Sequence, residues 1–134
     1  MTSFPLKIVT PDGLQYDGMA EELVVRTTTG DMGIMAGHIR CVAPLGMGKA
    51  MVLLEGQRRY AACIGGMVSV VNGEVTLVPT TFEWAEEIDA SRADASYQRA
   101  QKILNAKDSS STDIKLAQAR LRRALVRKSV ASNK

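Results

Sequence analysis

The sequence predicts a β-sandwich of short antiparallel strands over residues 1–87, followed by an α-helical hairpin over residues 88–134. Three observations predict this fold. Short β-branched runs punctuated by glycine fill the first part, the apolar residues take a helical period after Ile88, and the charge changes sign at the same place. Six Lys/Arg stand against ten Asp/Glu up to Ile88, and eleven against four beyond it. Such asymmetry is typical of two modules with different partners.

The strands of the first part are marked by β-branched residues and by turn residues. Phe4–Thr10 stops at Pro11-Asp12-Gly13, which is a turn signal. Two further pairs of runs predict β-hairpins, namely Ala50–Leu54 with Arg59–Ile64 and Met67–Val71 with Glu74–Pro79. Asn72-Gly73 joins the second pair and supplies the positive φ angles of a type I′ turn. Several short strands with no helical stretch between them favour a sandwich.

The second part predicts two helices. Asp89 is expected to cap the first, because its carboxylate accepts hydrogen bonds from free backbone N–H groups. A polar break begins at Asp108, after which Thr112 or Asp113 is expected to cap the second helix. Two alanine-rich stripes at three- and four-residue steps predict the seam. They are Ala90, Ala93, Tyr97, Ala100 and Leu104, and then Ile114, Ala117, Leu121, Ala124 or Leu125, and Lys128. An alanine seam buries little area at ~25 cal/mol per Å², so the hairpin is expected to be able to detach or unfold when another surface competes for it.

The sequence offers no convincing catalytic constellation. The chain has one histidine, His38, and no serine or cysteine with an evident base partner. Gly46-Met47-Gly48-Lys49 lacks the spacing of a P-loop and is interpreted as a turn. We therefore predict a protein that is not an enzyme, holds no metal and requires no cofactor. Nucleic-acid binding is disfavoured because the basic tail lacks interleaved aromatic residues, and membrane insertion because no run approaches ~18 apolar residues.

Five strings, in order and over almost the whole chain, resemble the epsilon subunits of bacterial F-type ATP synthases. The strings are Ile8–Gly13, Val25–Ile34 with Gly37-His38, Gly65–Val70, Ile88–Ala93 and Leu121–Arg127. The resemblance implies a ten-stranded β-sandwich followed by a helical hairpin. It also implies a non-catalytic rotor subunit in the central stalk of the proton-translocating synthase, at the cytoplasmic face of the bacterial plasma membrane. A free-standing nucleotide-sensing module is the alternative.

The partners implied by the resemblance are the gamma subunit, the c-ring, and the alpha and beta subunits. The family's sandwich lies beside gamma on the c-ring, and Asp31 and His38 match positions of a ring-facing loop, here Thr29 to His38. The alternative is that the glycines of this stretch merely shape a turn. The family's hairpin inhibits ATP hydrolysis when extended, and its basic helix corresponds here to Arg120, Arg122, Arg123, Arg127 and Lys128. The alternative for these cations is a solvated helix face.

The resemblance also implies ATP as a regulatory ligand. The family's Ile-Asp-x-x-Arg-Ala motif lines the ATP site in members that bind it, and here comprises Ile88, Asp89, Arg92 and Ala93, with Glu83 at a matching upstream carboxylate. Arg99 lies two turns after Arg92 on the same predicted helix face. Two guanidinium groups could hold phosphates while a carboxylate reads adenine or ribose. The alternative is that Asp89 is only a helix cap and Arg92 makes a surface ion pair.

Overall fold

The computed structural model describes residues 2–106 and 110–133. Within these residues the chain forms ten strands, a short 3₁₀ turn at Ala85–Glu87 and two helices. The strands are β1 Phe4–Thr10, β2 Gly13–Ala20, β3 Glu22–Thr27, β4 Gly30–Met35, β5 Cys41–Pro44, β6 Met47–Leu54, β7 Gln57–Ile64, β8 Met67–Val71, β9 Glu74–Val78 and β10 Thr81–Trp84. The helices are α1 Ala90–Asn105 and α2 Ser111–Ala131.

The strands form two five-stranded sheets that enclose an aliphatic core. The first sheet has the order β2-β1-β9-β8-β5 and the second has the order β10-β7-β6-β3-β4. Leu6, Ile8, Leu23 and Leu77 are among the fully buried side chains between them. The predicted sandwich and the ten strands are therefore confirmed. One detail differs from a purely antiparallel sandwich.

Strands β1 and β9 run parallel, whereas the other strand pairs of the described residues are antiparallel. Leu6 lies opposite Val75 and Ile8 opposite Leu77 in this pair. A parallel pair needs a long crossover connection. Here the connection is the chain from β2 to β8, which contributes strands to both sheets. The parallel pairing therefore depends on contacts remote in sequence, which local strand patterns do not reveal.

Both predicted hairpins are present. Asn72 and Gly73 have φ angles of 52° and 78°, as a type I′ turn requires. Glu55 and Gly56, with φ angles of 50° and 78°, make a turn of the same hand between β6 and β7. Positive φ values at both central residues match the right-handed twist of the flanking strands.

Two stretches predicted as loop or turn are strands instead. Gly30–Met35 forms the edge strand β4, paired with β3, and β6 begins at Met47, so that Gly48 lies inside a strand. A Cβ on Gly48 would stand 2.5 Å from the Cβ of Arg26. The glycine therefore permits a close approach between β6 and the Arg26 side chain rather than a turn. Glycine was a misleading turn signal here because it serves packing as well as backbone freedom.

The helix caps partly follow the prediction. Asp89 caps α1, and its Oδ1 accepts a hydrogen bond from the backbone N–H of Arg92 at 3.2 Å. Ser110, rather than Thr112 or Asp113, caps α2, because its Oγ accepts from the N–H of Asp113 at 3.1 Å. Asp113 is thus already the third residue of the helix, where an acidic side chain suits the helix dipole. The predicted break at Asp108 and Ser109 lies outside the described residues.

The two helices pack on each other along the predicted alanine seam. Ala93 and Ala100 of α1 and Ala117 and Ala124 of α2 are all buried. Lys128 of α2 also reaches across to α1. Its Nζ lies 2.9 Å from Asp94 Oδ1 and 4.5 Å from the centre of the Tyr97 ring. Neither helix, within the described residues, has the length and apolar character needed to span a membrane.

The hairpin is folded against the sandwich through the last turns of α2. Ala62, Ala85, Ile88, Val130 and Ala131 form a buried apolar group, which we call the docking cluster. It lies on the outer face of the second sheet, beside the partly buried Tyr60 and Val126. The end of α2 is also tied by a hydrogen bond of 3.3 Å from Lys49 Nζ to Asn133 Oδ1.

Gly66 provides a test of the fold. Its φ angle is +89°, and a Cβ at this position would overlap the carbonyl oxygen of Val78. Gly66→Ala is therefore expected to destabilise the protein by about 3 kcal/mol, measured by urea unfolding. Gly73→Ala is the matched control, since Gly73 also has a positive φ but nothing lies within 4 Å of its Cβ position. It should cost only about 1 kcal/mol. Equal losses would contradict the steric argument.

Candidate ligand-binding cleft

A cleft of about 470 Å³ lies between the sandwich and the helical hairpin. Its volume is in the range of small-molecule sites. It is lined by residues of both sides: Ile64, Thr81 and Glu83 from the sandwich, Ser96, Arg99, Ala100 and Ile103 from α1, and Arg120, Arg123, Ala124 and Arg127 from α2. One wall belongs to β7 and β10 and the other to the helices. The cleft therefore exists only while the hairpin is docked.

The cleft is strongly basic. Among the described residues, four arginines line it against one carboxylate, Glu83. Arg120, Arg123 and Arg127 stand at steps of three and four residues, which places them on one face of α2. Arg99 faces them from α1, where its Nη2 donates to Ser96 Oγ at 3.2 Å. Guanidinium groups bind phosphate and carboxylate oxygens with paired donors, so the arrangement suits a small polyanion.

Glu83 and Arg127 form the ion pair that crosses this cleft. Arg127 Nε lies 2.8 Å from Glu83 Oε1, and Arg127 Nη2 donates to Glu83 Oε2 at 3.3 Å. The contact of Nε with Oε1 has the separation of an ion pair, but its angle is not that of a hydrogen bond. Arg127 Nε is therefore buried without a hydrogen-bond acceptor among the described residues. The two side chains are 35% and 24% exposed, respectively. The pair joins β10 to α2.

The structure brings two of the six predicted nucleotide-binding residues into the cleft. These are Glu83 and Arg99. The other four build the start of α1 instead. Ile88 belongs to the docking cluster, Ala93 is buried in the helix seam, and Asp89 caps the helix through the backbone of Arg92, whose side chain is exposed. A direct ligand contact by these four residues stays a prediction.

The five cations of the predicted basic helix lie in three different environments. Arg120, Arg123 and Arg127 face the cleft, Arg122 is exposed outside it, and Lys128 pairs with Asp94. From sequence these cations were predicted to form an inhibitory surface, and none of them was expected in the nucleotide site. The spacing of residues 120, 123 and 127 was a signal that three of them share one face. Their position opposite Arg99 and Glu83 follows from the tertiary structure.

Asp31 and His38 are not among the residues that line the cleft, and they lie on elements that do not contribute to it. Asp31 is on β4, and its Oδ1 accepts a hydrogen bond of 2.6 Å from Arg26 Nε. This hydrogen bond, together with the charge of Asp31, raises the pKa of the Arg26 guanidinium above its usual value. His38 follows β4, with Nδ1 at 2.8 Å from the Ile39 carbonyl oxygen. Their contact with a c-ring stays a prediction.

The side chains that line the cleft suit the binding of an anion. Within residues 2–106 and 110–133, no group of three His, Cys, Asp or Glu side chains could hold a metal ion. The lining offers guanidinium donors, two hydroxyl groups and a single carboxylate. Arginine side chains stay protonated at any physiological pH, so they do not serve as proton-transfer groups.

Comparison with known proteins covers both parts of the chain. The model of the ATP synthase delta/epsilon chain β-sandwich domain matches residues 3–85, and that of the long alpha-helix domain matches residues 86–132. The ATP synthase epsilon chain of Bacillus velezensis is 44% identical over 133 residues, covering 99% of this chain and 100% of the relative. That of Bacillus subtilis is 45% identical over 115 residues, 86% of each chain.

Solved structures show the same fold. A chain in the cryo-EM structure of the Euglena gracilis mitochondrial ATP synthase superposes with a TM-score of 0.84 at 21% identity, covering 100% of this chain and 83% of that one. With the two family models and the bacterial relatives, the sequence resemblance is confirmed. The chain belongs to the ATP synthase delta/epsilon chain family, as a bacterial-type epsilon subunit, which is a non-catalytic component of the synthase.

Proposed function

We propose that this chain is a rotor subunit in the central stalk of a bacterial proton-translocating ATP synthase, peripheral to the cytoplasmic face of the plasma membrane. In this proposal the sandwich binds gamma and the c-ring, with Asp31 and His38 on the ring side. Family membership over nearly the full length supports this assignment. It favours a subunit of an assembly over a free-standing nucleotide-sensing module.

The helical hairpin is proposed to inhibit ATP hydrolysis when it leaves the sandwich and extends toward the alpha and beta subunits. Two features support this proposal: the small apolar contact that holds the hairpin on the sandwich, and the positive charge of α2. The docking cluster contributes only a few small side chains from α2. The freed helix would present Arg120, Arg122, Arg123 and Arg127 as one basic segment, for which an acidic surface of a beta subunit is a suitable partner.

ATP is proposed as the ligand that favours the docked hairpin. The observation that carries this proposal is the cleft between sandwich and hairpin, with four arginines and a volume of about 470 Å³. Since the cleft needs the docked arrangement, any ligand that fills it stabilises that arrangement by mass action. Arg99, Arg120, Arg123 and Arg127 would hold the phosphates. The proposed ligand contacts at the adjoining start of α1 are Ile88, Asp89, Arg92 and Ala93.

Isothermal titration of the isolated chain with ATP tests the nucleotide site. Arg123→Ala removes a guanidinium from the cleft and should weaken ATP binding on the order of tenfold, since a hydrogen bond to a charged group contributes about 1.5–3 kcal/mol. Arg122→Ala is the matched control, because it removes the same charge from the outer side of α2. Equal effects of the two substitutions, or no heat with the unaltered chain, would contradict the proposed site. Arg92→Ala tests the motif separately.

Removal of the hairpin tests the inhibitory role. A synthase assembled with a chain that stops at Ile88 should retain the sandwich and its binding to gamma, since the sandwich core lies within residues 4–84. Its ATP hydrolysis should exceed that of the complex with the full chain, because the inhibitory helices are gone. Hydrolysis is measured as phosphate release at equal enzyme concentration. An unchanged rate, with the truncated chain present in the complex, would refute inhibition by this hairpin.

A further inference from the structure

Two adjacent cations of α2 attach this helix to two different bodies. Arg127 pairs with Glu83 of the sandwich. Lys128 pairs with α1 instead, since its Nζ lies 2.9 Å from Asp94 Oδ1 and 4.5 Å from the centre of the Tyr97 ring. Because neither partner of Lys128 belongs to the sandwich, both of its contacts persist if the hairpin leaves the sandwich as a closed pair of helices.

Asp94 and Tyr97 are placed to hold one cation together. They stand three residues apart on α1, which puts them on one face of that helix. The Tyr97 ring is held in turn by Gln101, whose Nε2 donates a hydrogen bond of 3.1 Å to the hydroxyl oxygen. An ammonium group beside a carboxylate and over an aromatic ring gains both an ion pair and a cation–π contact. We call Lys128, Asp94 and Tyr97 the interhelix latch.

The interhelix latch closes the open end of the hairpin. The chain passes from α1 to α2 between Asn105 and Ser111, so the covalent connection keeps the helices together at that end. Asp94 lies near the start of α1 and Lys128 near the end of α2, which places the latch at the other end. Antiparallel helices begin to separate at the end that no connection holds. The docking cluster holds this end only while the hairpin is on the sandwich.

We propose that the interhelix latch keeps α2 on α1 after the hairpin has left the sandwich, and that α2 presents Lys128 to a partner only when the latch opens. This inference rests on the inhibitory function proposed above and deepens it, because it adds a step between undocking and inhibition. The cations of the basic helix are then not equivalent. Arg122 is exposed even in the docked hairpin, whereas Lys128 becomes available only after the two helices separate.

Partial exposure makes the latch reversible. The side chains of Lys128 and Asp94 are 37% and 51% exposed, respectively. Water and salt therefore compete for both charges, and the pair contributes as a surface ion pair rather than as a buried one. A contact of this strength shifts the equilibrium between closed and separated helices by a small factor, without fixing it in either state.

Hydrogen exchange of the α1 and α2 amides in the full chain tests the latch. Lys128→Ala removes both contacts, and exchange should become about three- to tenfold faster, as expected for the loss of one surface ion pair and one cation–π contact. Asp94→Asn removes the ion pair alone and should accelerate exchange about two- to fivefold. Lys128→Arg keeps a cation that can make both contacts, so exchange should stay within about twofold of the unaltered chain.

Lys115→Ala is the matched control, because it removes the same charge from the same helix. Lys115 is exposed and forms no ion pair within the part of the chain that the structure describes. Exchange should therefore change by no more than about twofold, as for an ordinary surface substitution. Equal acceleration by Lys115→Ala and Lys128→Ala would mean that the charge of α2, not the latch, controls its attachment to α1, and would overturn the inference.

ATP hydrolysis by the assembled synthase separates the latch from a direct inhibitory contact of Lys128. Asp94→Asn opens the latch but leaves every cation of α2 in place. More of the chain should then present α2, and phosphate release should fall, at most by the factor by which exchange increases. If Lys128 acted only as a contact with a partner subunit, Asp94→Asn would leave hydrolysis unchanged.

The truncation at Ile88 distinguishes failure of this inference from failure of the inhibitory function. If truncation raises hydrolysis while Asp94→Asn leaves it unchanged or raises it, the inference is wrong and the inhibitory proposal stands. If truncation leaves hydrolysis unchanged, the inhibitory proposal fails and the step assigned to Lys128 fails with it. The exchange rates then still decide whether the latch holds the two helices together.

Discussion

The docking of the last turns of α2 onto the outer face of the second sheet is the contact on which the functional features of this chain depend. Val130 and Ala131 meet Ala62, Ala85 and Ile88 there, and the cleft lies beside them with one wall on each body. If the helices move away, the wall that carries the four arginines separates from Ile64, Thr81 and Glu83, and the cleft is lost. The apolar contact thus decides whether the cleft exists, although it contributes no polar group to its lining.

The strength of this contact is suited to control by a ligand. Full burial of an apolar side chain such as Val or Ile contributes about 1.5–3 kcal/mol, and the cluster contains only one of each beside three alanines. The Glu83–Arg127 pair is partly exposed and adds little, on the order of 1 kcal/mol or less. A ligand at a hundred times its Kd adds about 2.7 kcal/mol to the state that binds it. The ligand term is therefore comparable to the docking term and can bias the equilibrium.

Local sequence patterns predicted the elements better than their contacts. The Asn72-Gly73 hairpin and the Asp89 cap are local devices, and both are as predicted. The strand at Gly30–Met35 was missed, because its glycines resemble turn residues while its pairing with β3 depends on the fold. The parallel pairing of β1 with β9 was also missed, because it too depends on contacts between segments that are remote in sequence. Alternation and capping report on neighbours along the chain, not on remote partners.

The site shows the same limit in chemical terms. Glu83 and Arg99 were predicted to bind a nucleotide, and both line the cleft. Arg120, Arg123 and Arg127 were assigned to a different surface, because sequence alone does not show that α2 folds back beside β10. The residues of the motif Ile88-Asp89-x-x-Arg92-Ala93 were assigned to the nucleotide site but do not line the cleft. These residues have structural tasks here: a buried anchor, a helix cap and a seam position. A motif that correlates with ligand binding can therefore act by placing α1, and with it Arg99, at the correct distance from α2.

The two uses proposed for the basic face of α2 exclude each other. Arg120, Arg123 and Arg127 line the cleft when the hairpin is docked, so they are not available to a partner subunit in that state. When the hairpin extends, the same guanidinium groups leave Glu83 behind and face outward. A polyanion in the cleft and an acidic protein surface outside it then compete for one set of cations. Such a competition couples ligand binding to inhibition without any further conformational change that links two sites. The proposed ligand site and the proposed inhibitory surface use the same arginine side chains, in two positions of one helix.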